Sequence, residues 1–108
     1  DQVRKQYDDW DFSDEGRMRQ ALRMKFLSEG VVRAGKFAIT DFVCPFEKAR
    51  VDFAPDYSVW MDTIKEGRFE DTNKIFEKPE SVDHIVHTFR SDVHVTMARI
   101  IKATFKVD

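Results

Sequence analysis

Two arginines near the start of the chain, Arg4 and Arg17, carry the side chain that is best suited to holding an oxyanion. The planar guanidinium group presents paired N–H donors whose geometry matches two oxygens of one phosphate or sulfate group. The alternative is that both side chains are solvated, which is the usual situation of an arginine on a protein surface. The residue types therefore predict a site for a small phosphate or sulfate ligand, with two solvated arginines as the alternative.

Two further basic residues lie in residues 65–80, a long charged segment marked by Gly67 and Pro79. A loop of this length within a compact domain is usually either functional or mobile. Arg68 and Lys74 could close over phosphate groups as a lid, whereas an ordinary charged loop would only be solvated. We therefore expect residues 65–80 to form a lid-like loop and keep the solvated loop as the alternative.

Asp41 is a candidate ligand for a metal ion. It lies towards the carboxyl end of the apolar run Phe37–Val43, and ligand sites of α/β proteins collect at the carboxyl ends of strands. Its carboxylate could hold Mg²⁺ through a water molecule. It could equally accept backbone N–H groups and cap the turn at Pro45, and we favour this second interpretation.

Cys44 is the only cysteine of the chain. A single cysteine excludes an internal disulfide and is typical of a reducing compartment, so a cytoplasmic location is expected. His84, His87 and His94 do not have the spacing of zinc ligands with Cys44, and we expect His84 and His87 to lie on the faces of a strand. No apolar run approaches the roughly 18 residues that cross a bilayer, so no membrane partner is expected.

The charge balance restricts the class of ligand. The 108 residues include 18 basic and 20 acidic side chains, which gives a formal net charge of −2. A nucleic acid is therefore an unfavourable partner, whereas eighteen basic residues are enough to form a local site for a small anion. The length and the ten phenylalanines indicate one folded domain over residues 1–108.

The elements that position these side chains follow from periodicity. Ser13 is a good helix N-cap, apolar residues recur every three or four positions after it, and Gly35 ends the helix. Short apolar runs predict strands buried on both faces, and charged or amphipathic stretches between them predict helices. The predicted strands are Phe37–Val43, Val59–Met61 and His84–Phe89, and the further helices lie within Asp1–Trp10, over Phe46–Phe53 and after Ser91 and Asp92. This alternation predicts an α/β fold with a parallel sheet.

Three stretches, in this order, resemble adenylylsulfate kinase, a P-loop kinase that phosphorylates the ribose 3′-hydroxyl of adenylylsulfate. The first contains Asp1, Val3 and Arg4 followed by Phe12, Ser13 and Arg17. The second is GKFAITDFVCPF, Gly35 to Phe46, with Arg50 after it. The third is VWMDT, Val59 to Thr63, followed by FEKPE, Phe76 to Glu80. The resemblance implies a three-layer α/β/α fold with a parallel sheet, P-loop kinase-like, from which the N-terminal strand and the P-loop are missing.

The resemblance also implies a role for individual residues. Asp1 looks like the second acid of the family's Asp-Gly-Asp, placed near the accepting hydroxyl and the metal, which would make it catalytic. Arg4 and Arg17 look like the arginines that grip the phosphosulfate, and Phe12 looks like the aromatic residue of the adenylylsulfate pocket. The other implied substrate-binding positions are Gln20, where the family has Asn, and Val43 and Cys44, where the family has Ile and Ser.

Two departures from the family pattern bear on function. The lid is shorter than the family's, and no Gly-x-x-x-x-Gly-Lys-Ser/Thr loop occurs in the 108 residues. Without that loop there is no cradle for ATP phosphates and Mg²⁺, so this chain is expected to bind neither tightly and to be inactive alone. The first hypothesis is that an intact parent protein phosphorylates adenylylsulfate or a related small anionic acceptor with ATP and Mg²⁺. The alternative is a catalytically inactive ligand-binding or assembly module that retains only the acceptor site and forms a homodimer.

Overall fold

The structure is a computed structural model, and it describes residues 1–63, 75–87 and 92–106. Within these ranges the chain divides into two compact units. Unit 1 holds residues 1–56 and 75–80, and unit 2 holds residues 57–63, 81–87 and 92–106. The described elements give a mixed α/β protein. Those of unit 1 are the helices α1 (Gln2–Tyr7), α2 (Asp14–Arg33) and α3 (Glu47–Phe53); those of unit 2 are the strands β1 (Val59–Met61) and β2 (His84–Val86) and the helix α4 (Val93–Phe105).

Both ends of α2 are where the sequence predicts them. The Ser13 backbone is extended, and its hydroxyl accepts a hydrogen bond from the Gly16 N–H at 3.2 Å, as an N-cap does. At the other end Gly35 has φ 81°, the left-handed conformation that glycine adopts without a steric cost. The N–H groups of Gly35 and Lys36 return to the carbonyls of Val32 and Val31, which is a Schellman termination. The predicted helix and its Gly35 end are confirmed.

Unit 1 is organised by the packing of α3 on α2. Ala21 of α2 and Ala49 of α3 are both buried, and their small side chains let the two helix backbones approach closely. Lys25 reinforces the pair, because its ammonium group donates to the carbonyl of Asp52 at 2.6 Å. The predicted helix over Phe46–Phe53 is confirmed, with Phe46 as its N-cap.

The prediction that Phe37–Val43 is a strand buried on both faces is wrong. The segment has no strand structure, because within the described part of the chain no backbone–backbone hydrogen bond involves residues 38–43. Its residues nevertheless alternate as in a strand. Thr40 faces α2, where its hydroxyl lies 2.6 Å from that of Ser28, and the Phe42 ring packs on Phe53. The other face is the odd-numbered row, which consists of the exposed residues Phe37, Ile39, Asp41 and Val43.

Unit 2 contains the parallel pairing that the sequence predicts. Val59, Trp60 and Met61 of β1 lie opposite His84, Ile85 and Val86 of β2 in a parallel ladder. The ladder continues past the strand ends, since the Asp62 N–H donates to the Val86 carbonyl at 2.9 Å. The strands Val59–Met61 and His84–Val86 and the last helix are confirmed. The prediction that the strands are buried on both faces is wrong, because Val59, Met61 and Ile85 are exposed. Of the predicted strand His84–Phe89, residues 88 and 89 lie outside the described residues.

None of the helices in the described ranges combines the length and the apolar character needed to cross a membrane.

Candidate functional site

The turn between α1 and α2 is built around the side chain of Arg4. The helix α1 is followed by its C-cap residue Asp8, whose backbone is left-handed (φ 49°, ψ 46°) and turns the chain back towards Arg4. The Arg4 Nη1 then donates to the carbonyls of Asp9 and Asp11, at 3.0 and 3.1 Å. Arg4 is buried, and this burial lowers the pKa of its guanidinium group, while the carboxylate of Asp9 opposes the shift. An arginine keeps its charge under such a shift, so a buried cation lies beneath the turn.

Three predicted ligand-binding residues meet on this turn. The guanidinium carbon of Arg4 lies 4.4 Å from the centre of the Phe12 ring, and that of Arg17 lies 5.5 Å from it. The Arg17 Nε also donates to the Phe12 carbonyl at 2.9 Å. The distances of 4.4 and 5.5 Å from the two guanidinium carbons to the ring centre are within the range of a cation–π interaction. Phe12 therefore holds two positive charges beside one half-exposed ring, the kind of surface that attracts an anion with an aromatic part.

A carboxylate that sequence reasoning did not single out stabilises the same turn. Asp9 accepts two hydrogen bonds from Arg19, at 2.8 Å from Nε and 3.0 Å from Nη2, and a third from Arg23 Nη2 at 3.0 Å. These bonds, those of Arg19 first, hold the pKa of the Asp9 carboxyl well below its usual range. The available signal was the acidic run Asp8–Asp11 followed by arginines four residues apart on one helix face.

Gln20 lies behind this network. It is buried, and its side-chain carbonyl accepts a hydrogen bond of 2.7 Å from Arg23 Nη1. The Arg23 guanidinium in turn lies 4.3 Å from the centre of the Tyr7 ring, which joins α1 to α2. The predicted role of Gln20 was direct contact with a substrate, whereas the contact that the structure gives it is with Arg23.

Asp1, the predicted catalytic acid, is the N-cap residue of α1, one turn before Arg4. Its backbone carbonyl accepts the Lys5 N–H at 2.9 Å, and its side chain makes no capping hydrogen bond. Asp1 is exposed, so its carboxylate faces solvent at the end of the helix that carries Arg4.

The predicted positions Val43 and Cys44 belong to a different set of contacts. Val43 is 61% exposed, and the carbonyl of Cys44 accepts a hydrogen bond of 2.8 Å from Arg50 Nη1. Burial raises the pKa of the Cys44 thiol, which keeps it protonated at neutral pH. Arg50 Nη2 also donates to the Glu47 carboxylate at 2.8 Å and to the carbonyl of Glu77. Cys44 therefore belongs to a set of hydrogen bonds that joins α3 to residues 75–80.

Two predictions about ions and the lid have different outcomes. Asp41 is exposed, and within the described ranges its carboxylate accepts no hydrogen bond, so the favoured cap on the Pro45 turn is absent there. No cluster of three or more His, Cys, Asp or Glu side chains suited to a metal ion occurs among the described residues. Arg68 and Lys74, the predicted lid residues, lie outside the residues that the structure describes.

Unit 2 contains a separate cleft that sequence reasoning missed. It has a volume of about 190 Å³ and lies between β2, with His84–His87, and the first turns of α4, with Asp92, Val93, Thr96 and Met97. At the ends of the two strands the His87 Nδ1 is 3.4 Å from the Asp62 carboxylate. The carboxyl ends of parallel strands are a common place for ligands.

Comparison with protein-family models, with curated proteins and with solved structures found no match to this chain.

Proposed function

We propose that unit 1 binds a small anionic nucleotide and that this nucleotide is the acceptor in an ATP-dependent phosphoryl transfer, namely adenylylsulfate or a related small acceptor. The observation that carries the proposal is the placement of the Arg4 and Arg17 guanidinium groups beside the single ring of Phe12. Guanidinium groups bind phosphate and sulfate oxygens, and an aromatic ring provides a surface for a base. The ordered resemblance of Asp1–Arg17, Gly35–Phe46 and Val59–Thr63 to adenylylsulfate kinase supports the same ligand.

The electrostatics of the turn support an anion. Four arginines, Arg4, Arg17, Arg19 and Arg23, surround two carboxylates, those of Asp9 and Asp11. The ion pairs of these two carboxylates are with Arg19 and Arg23, and the positive charges of Arg4 and Arg17 lie beside Phe12. Arg4 is buried, and its Nη1 donates to two backbone carbonyls. Arg17 is therefore the more accessible arginine for the anion, and Arg4 contributes its positive charge from beneath the turn.

In this proposal the chain contributes the acceptor side of the reaction. Arg17 and Arg4 hold the anionic group, Phe12 contacts the base, and the carboxylate of Asp1 orients the accepting 3′-hydroxyl and takes its proton. ATP and Mg²⁺ would be held by a longer parent protein with a three-layer P-loop kinase fold. The 108 residues contain no Gly-x-x-x-x-Gly-Lys-Ser/Thr loop to cradle the phosphates, so no step is assigned to ATP or Mg²⁺ here.

We keep a second candidate function, because the sequence lacks the Gly-x-x-x-x-Gly-Lys-Ser/Thr loop that an ATP-dependent kinase of this kind needs. In it the chain is a catalytically inactive module that binds the acceptor or takes part in assembly. The two functions share the acceptor site and differ in whether a parent protein turns the bound nucleotide over.

Isothermal titration of the chain with adenylylsulfate tests the acceptor site. We expect binding that weakens about tenfold or more in Arg17→Ala, because a charged hydrogen bond contributes about 1.5–3 kcal/mol. Arg33→Ala is the matched control, since Arg33 is an exposed arginine in the last turn of the same helix. Absence of adenylylsulfate binding, or equal losses in both variants, would contradict the acceptor site. Phosphorylation of adenylylsulfate by the parent protein with ATP then separates the kinase from the inactive module.

A further inference from the structure

The aromatic ring of Phe12 is the point at which two positive charges come together. The guanidinium carbon of Arg4 lies over the ring, 4.4 Å from its centre, and that of Arg17 lies 5.5 Å from it. The π face of a phenylalanine ring is negative and attracts a guanidinium group at these distances. One uncharged side chain therefore contacts both of the arginines to which the proposed nucleotide site assigns the anionic group of the ligand.

The two arginines differ in how far they depend on this ring. The Arg4 Nη1 donates to the carbonyls of Asp9 and Asp11, so backbone acceptors also fix its position. Two of the contacts of Arg17 are with Phe12, because its Nε donates to the Phe12 carbonyl at 2.9 Å and its guanidinium group lies beside the ring. Removal of the ring therefore affects mainly the position of Arg17.

Repulsion between the two arginines gives the ring a further effect. Burial is the main cause that lowers the pKa of the Arg4 guanidinium group, and the charge of Arg17 adds to this effect while that of Asp9 opposes it. The repulsion favours a wider separation of the two guanidinium groups, whereas the negative π face attracts both without neutralising them. Two like charges held close together attract an anion that carries two negative charges.

We propose that Phe12 is a positioning residue for the anionic half of the ligand, because its ring holds the guanidinium groups of Arg4 and Arg17 together as a site for a dianion such as sulfate. This proposal rests on the proposed nucleotide site and adds a second role to Phe12, which there contacts the base. Inorganic sulfate has no base, so its affinity depends on Phe12 only through the two arginines.

Titration of the chain with inorganic sulfate at constant ionic strength measures this second role. Phe12→Leu should weaken sulfate binding about threefold or more, because both cation–π contacts are lost. Phe12→Tyr should keep the affinity within about twofold, since it retains an aromatic ring at the same position. Phe26→Leu is the matched control, because it makes the same substitution at a 66% exposed position of α2 outside the turn.

A measurement without ligand shows whether the ring contacts the arginines in solution. The ring current of Phe12 shifts the nuclear magnetic resonance signals of nearby protons, which include the Nε–H groups of Arg4 and Arg17. These signals should move in Phe12→Leu and stay in place in Phe26→Leu. Phe12 is 52% exposed, so the variants should keep their fold, which far-ultraviolet circular dichroism checks.

The possible outcomes decide the proposal. A loss of sulfate affinity in Phe12→Leu that does not occur in Phe12→Tyr supports it. Unchanged sulfate affinity in Phe12→Leu, with weaker binding of adenylylsulfate, would overturn it and leave the nucleotide site in place, because the ring would then contact only the base. Equal losses in Phe12→Leu and Phe26→Leu, or arginine signals that do not move in Phe12→Leu, would also overturn it. If the unaltered chain binds neither sulfate nor adenylylsulfate, the nucleotide site itself is contradicted and this proposal with it.

Discussion

The guanidinium group of Arg19 binds the carboxylate of Asp9 through two parallel hydrogen bonds, Nε to Oδ2 at 2.8 Å and Nη2 to Oδ1 at 3.0 Å. The pair spans ten residues and joins the turn after α1 to the exposed face of α2. The Asp9 side chain is only 13% exposed, and Arg23 binds it from the other side. This carboxylate therefore determines the position of the turn on which Arg4, Phe12 and Arg17 meet.

Replacing Asp9 by Asn should lower the thermal midpoint of unfolding. The amide keeps the shape of the side chain but loses the charge that satisfies Arg19 and Arg23. Glu29→Gln, which removes one charge from the exposed part of α2, is the control and should have little effect. Differential scanning calorimetry measures both variants; equal midpoints would show that the pair does not hold the turn.

The stability of the chain should fall in acid because of the same carboxylate. Arg19 and then Arg23 depress the pKa of Asp9 in the folded state below its usual 3.8, so the ionised form is the one that stabilises the fold. Its contribution is complete above about pH 4 and is lost as the pH falls through the folded-state value. The pKa of Asp11 is lowered in the same direction, mainly by hydrogen bonds from Ser13.

Urea denaturation between about pH 6 and pH 2 measures this loss, because the unfolded chain takes up the proton at the ordinary carboxyl pKa. The unaltered chain should lose stability below about pH 4 more steeply than Asp9→Asn, which has no carboxyl to titrate at this position. Parallel curves for the two proteins would contradict the role assigned to Asp9.

Gly16 should not tolerate alanine, whereas Gly30 of the same helix should. A Cβ at Gly16 would lie 2.2 Å from the Asp11 carbonyl oxygen and 2.5 Å from the Asp11 Cγ, and part of this contact is with backbone. Gly16→Ala should cost about 1–3 kcal/mol, because the turn must move away from α2. At Gly30 a Cβ meets nothing within 4 Å, so Gly30→Ala should stabilise by about 0.5–1 kcal/mol. Chemical denaturation of the two variants gives both values, and a mild effect at Gly16 would contradict the close approach.

Arg50 should contribute more to stability than its neighbour Lys48. Its guanidinium group joins the Cys44 carbonyl, the Glu47 carboxylate and the Glu77 carbonyl, and it lies 5.4 Å from the centre of the Phe76 ring. Arg50→Met should cost about 2 kcal/mol, because these partly buried acceptors lose their donor. Lys48→Met should cost less than about 0.5 kcal/mol. The Lys48 side chain is 79% exposed, and its Nζ is 3.8 Å from the Asp52 carboxylate, which is a weak surface ion pair. Equal denaturant midpoints for the two variants would show that the hydrogen bonds of Arg50 between α3 and residues 75–80 do not stabilise the fold.

The thiol of Cys44 should be unreactive while the chain is folded. Burial raises its pKa, and the thiolate is the form that reacts with alkylating agents. Alkylation by iodoacetamide near pH 7.5, followed by mass spectrometry, should be at least about tenfold slower than in urea, where the side chain is exposed. Equal rates in the two conditions would show that Cys44 is not covered.

Local signals predicted the helices and part of the sheet. Ser13 and Gly35 fix the ends of α2 through hydrogen bonds within a few residues, so their effect is visible in the sequence. The runs at Val59 and His84 were correctly predicted as strands that pair in parallel. Phe37–Val43 has the same composition but is not a strand, because a strand requires a partner and composition does not show whether one is adjacent.

The candidate site was predictable in its residue types and not in its contacts. The resemblance to adenylylsulfate kinase indicated Arg4, Phe12 and Arg17 as ligand-binding residues, and the structure places their side chains together. It did not indicate that Asp9 holds Arg19 and Arg23, or that Gln20 serves Arg23. Ion pairs between residues 10 and 14 positions apart depend on how a turn closes, which no local pattern specifies.

The sequence by itself determined where the helices begin and end and which side chains could hold an anion, because caps, turns and functional groups are local properties. Only the tertiary structure decided what each arginine contacts. Arg19 and Arg23 are committed to Asp9, while Arg4 and Arg17 meet at Phe12. The physical reason is that a guanidinium group binds the acceptor that folding brings within about 3 Å, and that distance follows from the left-handed turn at Asp8 and the contact of Arg23 with Tyr7.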